Sequence, residues 1–164
     1  MKYKHTQIGK IVIAIVILVA LISIVSVANE DYQKYAPNWM DASDWDIYGI
    51  VIVSVIYLFV LNMCTLTISI DKALLHWHFG LGFPRKKMQL TDIDTVKQVR
   101  NKWFFGFGIR KLISGGWLYN VHGLDAVEVV THDGKIVRLG TDDPKGLARA
   151  LSVAVDKVQG RADE

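Results

Sequence analysis

The residue types able to do chemistry are few and scattered along the chain. "LLHWHF" (Leu74–Phe79) places His76 and His78 two residues apart. Strand side chains repeat every two residues, so both imidazoles would share a face and could chelate a metal ion. His122 or His132 would serve as a further ligand if the fold brought one near. Exposed strand histidines are commoner than metal sites, so His76 and His78 are weak metal candidates and no metal is assigned. Asp92 with Asp94, and Asp142 with Asp143, are paired carboxylates. The first pair reads as part of a turn and the second as a helix cap. Neither has a base or nucleophile at a recognisable spacing. Ser114 has no motif around it, and no triad signature is present. Cys64 is the only cysteine, which excludes an intramolecular disulfide, a CxxC pair and a cysteine zinc site. At the end of an apolar run it reads as a small packed hydrophobe. No catalytic residue and no cofactor is read, and the chain is not expected to be an enzyme.

"NKWFFGFGIRK" (Asn101–Lys111) carries the strongest functional signal. Gly106 and Gly108 form G-x-G, but neither a third glycine nor a helix follows. "GIRKLISGG" also lacks the lysine-serine/threonine end of a phosphate loop. The glycines are expected to permit a tight bend. What remains is aromatic and basic: Trp103, Phe104, Phe105 and Phe107 among Arg100, Lys102, Arg110 and Lys111, with Arg85, Lys86 and Lys87 upstream. Together these are the candidate membrane-surface or partner-binding residues. Cations beside an anionic leaflet are worth about 1 kcal/mol each. The aromatics either enter a headgroup layer with them or fill the core of the domain. The net charge is only +3, acidic residues are interspersed, and no nucleic-acid motif appears, so nucleic acid is not an expected partner.

The elements that must position these residues begin with two apolar runs. "IVIAIVILVALISIVSVA" (Ile11–Ala28) and "IYGIVIVSVIYLFVLNMC" (Ile47–Cys64) carry no Asp, Glu, Lys or Arg. Both are expected as transmembrane helices, because a bilayer core of about 30 Å asks for about 20 apolar residues. Lys2, Lys4 and Lys10 precede the first; Arg85–Lys87 follow the second. The connector, residues 29–46, is acidic, with Glu30, Asp31, Asp41, Asp44 and Asp46 against Lys34 alone. The positive-inside rule then places residues 1–10 and everything after Cys64 in the cytoplasm. Tyr32, Tyr35, Trp39, Trp45 and Tyr48 suit the outer interfacial belt. Asn62 is expected near the inner interface or bonded to the first helix. Ser26-Val27-Ala28 offers small residues to a signal peptidase, but the apolar run exceeds a usual signal core, so an uncleaved anchor is expected.

From Leu66 the hydrophobic period becomes two. "LTISID", "LLHWHF", "MQL", "TVKQVR" (Thr95–Arg100), "GGWLYNV" (Gly115–Val121), "DAVEVVTH" (Asp125–His132) and "KIVRL" (Lys135–Leu139) read as about seven antiparallel strands. "TDID" reads as a single helical turn, and "GLGFPRKK" (Gly80–Lys87) as a turn. Asp133-Gly134 signals a type I′ hairpin with positive φ at both residues. A helix over Asp143–Val158 closes the domain, capped by Asp143 and opened by Pro144. Leu147, Ala150, Leu151, Ala154 and Val158 are expected on its packed face. The domain is expected to span residues 65–158, as a partly open barrel capped by that helix, with a polar tail over 159–164.

That order of elements resembles the pleckstrin-homology fold. "FGFGIR" (Phe105–Arg110), "LYNVHGLDAVEV" (Leu118–Val129) and "LGTDDPKGLARAL" (Leu139–Leu151) together resemble the bacterial pleckstrin-homology-like proteins that follow a pair of membrane helices. The resemblance implies a seven-stranded, partly open antiparallel barrel held at the bacterial plasma (inner) membrane, and it implies no activity. The basic motif of phosphoinositide-binding members is absent from the Asp71-Lys72-Ala73 loop. The expected function is a membrane-anchored, non-catalytic interaction module that binds a partner protein, itself as a homo-oligomer, or anionic phospholipid headgroups. The alternative is an accessory subunit of an enzyme or transporter acting on lipids or envelope components.

Overall fold

The computed structural model describes residues 3–27, 42–113 and 115–160, with the side chains of residues 42–47 and 50 left aside. Among the described residues, nine strands form two sheets. The first has the order β1-β2-β3-β4, with β1 Tyr3–Ile8, β2 Thr65–Asp71, β3 Leu74–Phe79 and β4 Arg85–Gln89. The second has the order β5-β8-β9-β7-β6, with β5 Ile93–Arg100, β6 Gly108–Lys111, β7 Trp117–Asn120, β8 Asp125–Thr131 and β9 Ile136–Gly140. Helices α1 (Lys10–Val27) and α2 (Ala42–Asn62) stand between β1 and β2, and α3 (Pro144–Val158) ends the described chain.

The alternating strands bury one face each, as their period requires. Leu66, Ile68 and Ile70 of β2 and Leu75, Trp77 and Phe79 of β3 meet Val127 and Val129 of β8 and Val137 and Leu139 of β9 in a single core. Trp77 and Tyr119 pack edge to face at 5.4 Å between ring centroids. Leu147, Ala148, Leu151 and Val155 of α3 close that core. The expected α3 face thus shifts: Leu147 and Leu151 are central, whereas Ala150, Ala154 and Val158 are only partly buried beside it. Asp143 caps α3 by accepting from the Gly146 N–H at 2.9 Å, and Pro144 opens it.

Several expectations are corrected. The strands form two separate sheets of four and five strands and no closed barrel, in place of a seven-stranded, partly open antiparallel barrel. One pairing, β7 with β9, is parallel. Two strands come from segments assigned elsewhere. Residues 3–8, expected as a cytoplasmic leader, add β1 to the edge of β2, where His5 faces Ile68 and Gln7 faces Leu66. Gly108–Lys111, expected as irregular, pairs with β7 as β6. Arg85–Lys87 belong to β4 rather than a turn. In the β8–β9 connection only Gly134 has positive φ. Thr131 and Lys135 bridge it through the Thr131 N–H to Lys135 carbonyl bond, so it is not a two-residue type I′ turn.

The two transmembrane spans are also corrected. Among the described residues, no helix is long and apolar enough to cross a membrane. Residues 11–27 of α1 and 47–62 of α2 are the uncharged helical runs, each short of the roughly 20 residues that a bilayer core asks for. Lys10 opens α1, and Asp44 and Asp46 fall in the opening turns of α2. The two-span membrane partner, and the placement at a bacterial inner membrane with cytoplasmic termini, rested on those spans and fall with them. The acidic connector from 29 to 41, with Tyr32, Tyr35 and Trp39, lies outside the described residues, as do Ala28, Ser114 and the tail from 161. Trp45 lies among the side chains left aside.

Both helices nevertheless present apolar side chains outward. Ile15, Leu18, Leu21, Ile22 and Val25 of α1 are exposed, as are Ile52, Val55, Ile56, Leu58 and Phe59 of α2. Their inner ends are fixed to the sheets. Gly9, between β1 and α1, donates its N–H to the Cys64 carbonyl at 2.7 Å. A Cβ there would lie 2.8 Å from the Val121 carbonyl oxygen, so only glycine lets the backbones approach this closely.

Candidate functional site: an apolar and basic end of the fold

The base of α1 and α2 defines one end of the molecule. At that end lie the carboxyl ends of β1, β3, β5, β7 and β9 and the starts of β2, β4, β6 and β8. Hydrogen bonds fasten the loops there. Gln7 Nε2 donates to the His122 carbonyl at 2.8 Å. Asn62, the last residue of α2, donates through Nδ2 to the Phe83 carbonyl at 2.5 Å and accepts from the Leu81 N–H at 2.9 Å. Asn62 therefore holds the β3–β4 loop rather than α1. The Asn101 N–H donates to the Leu124 carbonyl at 2.7 Å, placing the segment after β5 beside the β7–β8 loop.

The segment Asn101–Lys111 divides into a single 3-10 turn, Trp103–Phe105, then β6. Gly106 and Gly108 take φ of 60° and 95°, so the bend uses the conformational freedom expected of them. None of the four aromatics enters the core. Trp103 is 82% exposed and Phe104 is 53% exposed, while Phe105 and Phe107 are half-buried. Phe104 meets Trp103 edge to face at 6.2 Å and Phe105 at a tilt at 4.9 Å between ring centroids. Lys102 Nζ sits 5.7 Å from the Phe104 ring centre, a cation–π contact. Arg110 turns back to donate from Nε to the Phe107 carbonyl at 3.4 Å.

Two residues that sequence reasoning passed over join this end. Leu81 and Phe83, in the β3–β4 loop, are 101% and 73% exposed. Their only signal was two large apolar residues in a segment otherwise typical of a turn. The end thus displays Leu81, Phe83, Trp103 and Phe104 with Arg100, Lys102 and Arg110. Among the described residues none of those three cations is ion-paired with a carboxylate.

The remaining candidates are placed elsewhere. Arg85 and Lys87 point to the outer face of the first sheet and Lys86 to the other side of β4, opposite buried Trp77. Lys111 lies opposite Trp117, at the far end of β6. His76 and His78 share the outer face of β3, but among the described residues no group of three or more His, Cys, Asp or Glu is arranged to hold a metal. Cys64 is buried, its Sγ 3.3 Å from the Val60 carbonyl, and burial pushes its thiol pKa up, away from reactivity.

The paired carboxylates are absorbed by structure. Asp142 pairs with His5 at 2.5 Å, and Asp143 accepts from the Tyr3 hydroxyl at 3.3 Å, so both pin β1 to the start of α3. Burial first, then Asp143, holds the Tyr3 hydroxyl well above its ordinary pKa. Asp94 faces His132 at 3.5 Å beside an open cleft of about 540 Å3 at the end away from the helices, lined by Lys87, Thr91, Asp92, Thr131, Asp133 and Lys135 among others. Lys135 and Asp133 neutralise one another there at 2.5 Å. Hydrogen bonds from Lys135 and Thr131 lower the Asp133 pKa to about 2. Neither the carboxylate nor the ammonium is left over for a ligand.

No protein family, no curated protein and no solved structure matches this chain.

Proposed function

We propose that this chain is a non-catalytic binding module whose recognition surface is the end that bears α1 and α2, and whose ligand is a surface of anionic lipid headgroups. The observation that carries the reading is the coincidence, at one end, of exposed apolar side chains with cations that form no ion pair among the described residues. Exposed aromatics and cations side by side suit the boundary between headgroups and acyl chains. A protein partner would cover one side of a helix, whereas exposed apolar residues follow one another along residues 17–25 of α1 and 51–61 of α2. Contact of this kind needs no helix to cross a bilayer. The likeness of three motifs to pleckstrin-homology-like proteins is part of the same proposal.

Co-flotation of the full chain with vesicles tests it. Vesicles containing phosphatidylglycerol should recruit the chain more strongly than vesicles of phosphatidylcholine alone, and raised salt should abolish the difference. Equal recruitment by both at low salt overturns the reading, as does retention by an acidic protein partner with no preference among vesicles.

A further inference from the structure

The outer face of the first sheet is a second surface, and strand register builds it. Lys4, Ser69, His76 and Lys87 stand in one row across β1, β2, β3 and β4. Thr6, Thr67, His78 and Arg85 stand in the next. Partners directly opposite in adjacent strands project to the same side, so each row is a line of neighbouring side chains. The inward partners are Ile68 and Ile70 on β2 and Leu75, Trp77 and Phe79 on β3, which fixes these rows as outward.

The chemistry of the two rows is one-sided. Each member is an ammonium, guanidinium, imidazole or hydroxyl group, whereas the rows that bound these two on the same face are mixed, with Ile8 and Thr65 at one end and Asp71, Leu74 and Gln89 at the other. The short groups lie in the middle, on β2 and β3. The long cations rise at the edges, Lys4 on β1 and Arg85 and Lys87 on β4. Four strands set those edges about 14 Å apart, and the rows lie about 7 Å apart along the strand. Lys4, Arg85 and Lys87 are exposed, and among the described residues none is ion-paired with a carboxylate. Thr6 and Thr67 hydroxyls bond to each other at 2.9 Å; Thr67 is itself buried, so it is the exposed Thr6 hydroxyl that keeps capacity for a ligand.

We propose that this face is a binding surface for a soluble, linear, phosphate-bearing polyanion, distinct from the end that bears the helices. Charge complementarity selects an anion. A trough of hydroxyl and imidazole donors walled by cations suits phosphate oxygens, which take charge-assisted hydrogen bonds from such groups. Hydrocarbon side chains on this face are confined to Ile8 and Leu74 in the two bounding rows, so the central rows suit a soluble chain lying across the strands better than a lipid surface.

Binding of fluorescently labelled inorganic polyphosphate to the full chain tests the proposal. Saturable binding that weakens with salt is expected. Lys87→Glu and Arg85→Glu should each weaken it about five- to tenfold at low salt, since each replaces a charge-assisted contact by repulsion. Lys97→Glu, an equal charge change on exposed β5 of the other sheet, should have far less effect. His76→Ala, which removes a hydrogen-bonding group and introduces no opposite charge, should also weaken binding. Unchanged melting of each variant shows that folding is not the cause; if Lys87→Glu fails to fold, Arg85→Gln and His76→Ala carry the test. Equal losses from Lys97→Glu and Lys87→Glu would show a diffuse charge effect and overturn the site. Binding through these rows only to phosphatidylglycerol vesicles would overturn the ligand class. The Arg100, Lys102 and Arg110 variants should leave polyphosphate binding intact, so failure here is separable from failure of the lipid-surface reading.

Discussion

Replacing Arg100, Lys102 and Arg110 together by glutamine is the sharpest probe of the apolar and basic end. All three are exposed, and none forms an ion pair among the described residues. Surface changes of this kind usually alter stability by no more than about 0.5 kcal/mol, so the fold should survive. Each cation near an anionic headgroup surface is worth about 1 kcal/mol, so the three together contribute about 3 kcal/mol, a factor of roughly 150 in partitioning. The exposed residues of α1 and α2 complicate any absolute affinity, because their apolar surface would associate with neutral vesicles as well. That contribution is common to anionic and neutral vesicles and cancels in their ratio. The assay is therefore co-flotation of the full chain with phosphatidylglycerol-containing and phosphatidylcholine vesicles, read as the ratio of the two partition coefficients. The triple variant should lose most of that ratio. Salt should do the same to the native chain, as the screening length shrinks from about 10 Å at 0.1 M to about 3 Å at 1 M. A native preference for anionic vesicles that the substitutions leave unchanged would refute the assignment of these cations.

Three further predictions concern the frame that holds the two surfaces. Leu151→Ala removes a fully buried side chain through which α3 closes the core; denaturant unfolding should show a loss of about 2–5 kcal/mol. Asn62→Ala removes both hydrogen bonds that tie α2 to the β3–β4 loop; hydrogen exchange at the Leu81 amide should accelerate, with a stability loss of about 1–2 kcal/mol. The Asp133 carboxyl, lowered from 3.8 to about 2 in the folded chain, contributes stability above its unfolded value that disappears as pH falls through about 2. The difference in unfolding midpoint between the native chain and Asp133→Asn should therefore narrow between those two values, and a constant difference would contradict the assignment.

The sequence by itself determined the local elements whose signal is local. Alternation in "LTISID", "LLHWHF" and "DAVEVVTH" marked β2, β3 and β8 because one face of each is buried in the core. Asp143-Pro144 marked the start of α3 because a cap and a fixed φ act within one turn. The bend in "FGFG" was legible because its two glycines take positive φ. The sequence also gathered the basic and aromatic residues of Asn101–Lys111 as a candidate surface. Only the tertiary structure decided what depends on partners far along the chain. Residues 3–8 carry no alternating apolar pattern, because their inward groups, Tyr3, His5 and the Gln7 Nε2, are bonded to Asp143, Asp142 and the His122 carbonyl. Nothing nearby in sequence announces those bonds. The parallel pairing of β7 with β9 and the separation into two sheets are likewise set by packing between distant segments. Register across four strands brought Lys4, Ser69, His76 and Lys87 into one row from positions that no local period connects. It also parted Arg85 and Lys87 from Lys86, because adjacent residues of a strand face opposite sides.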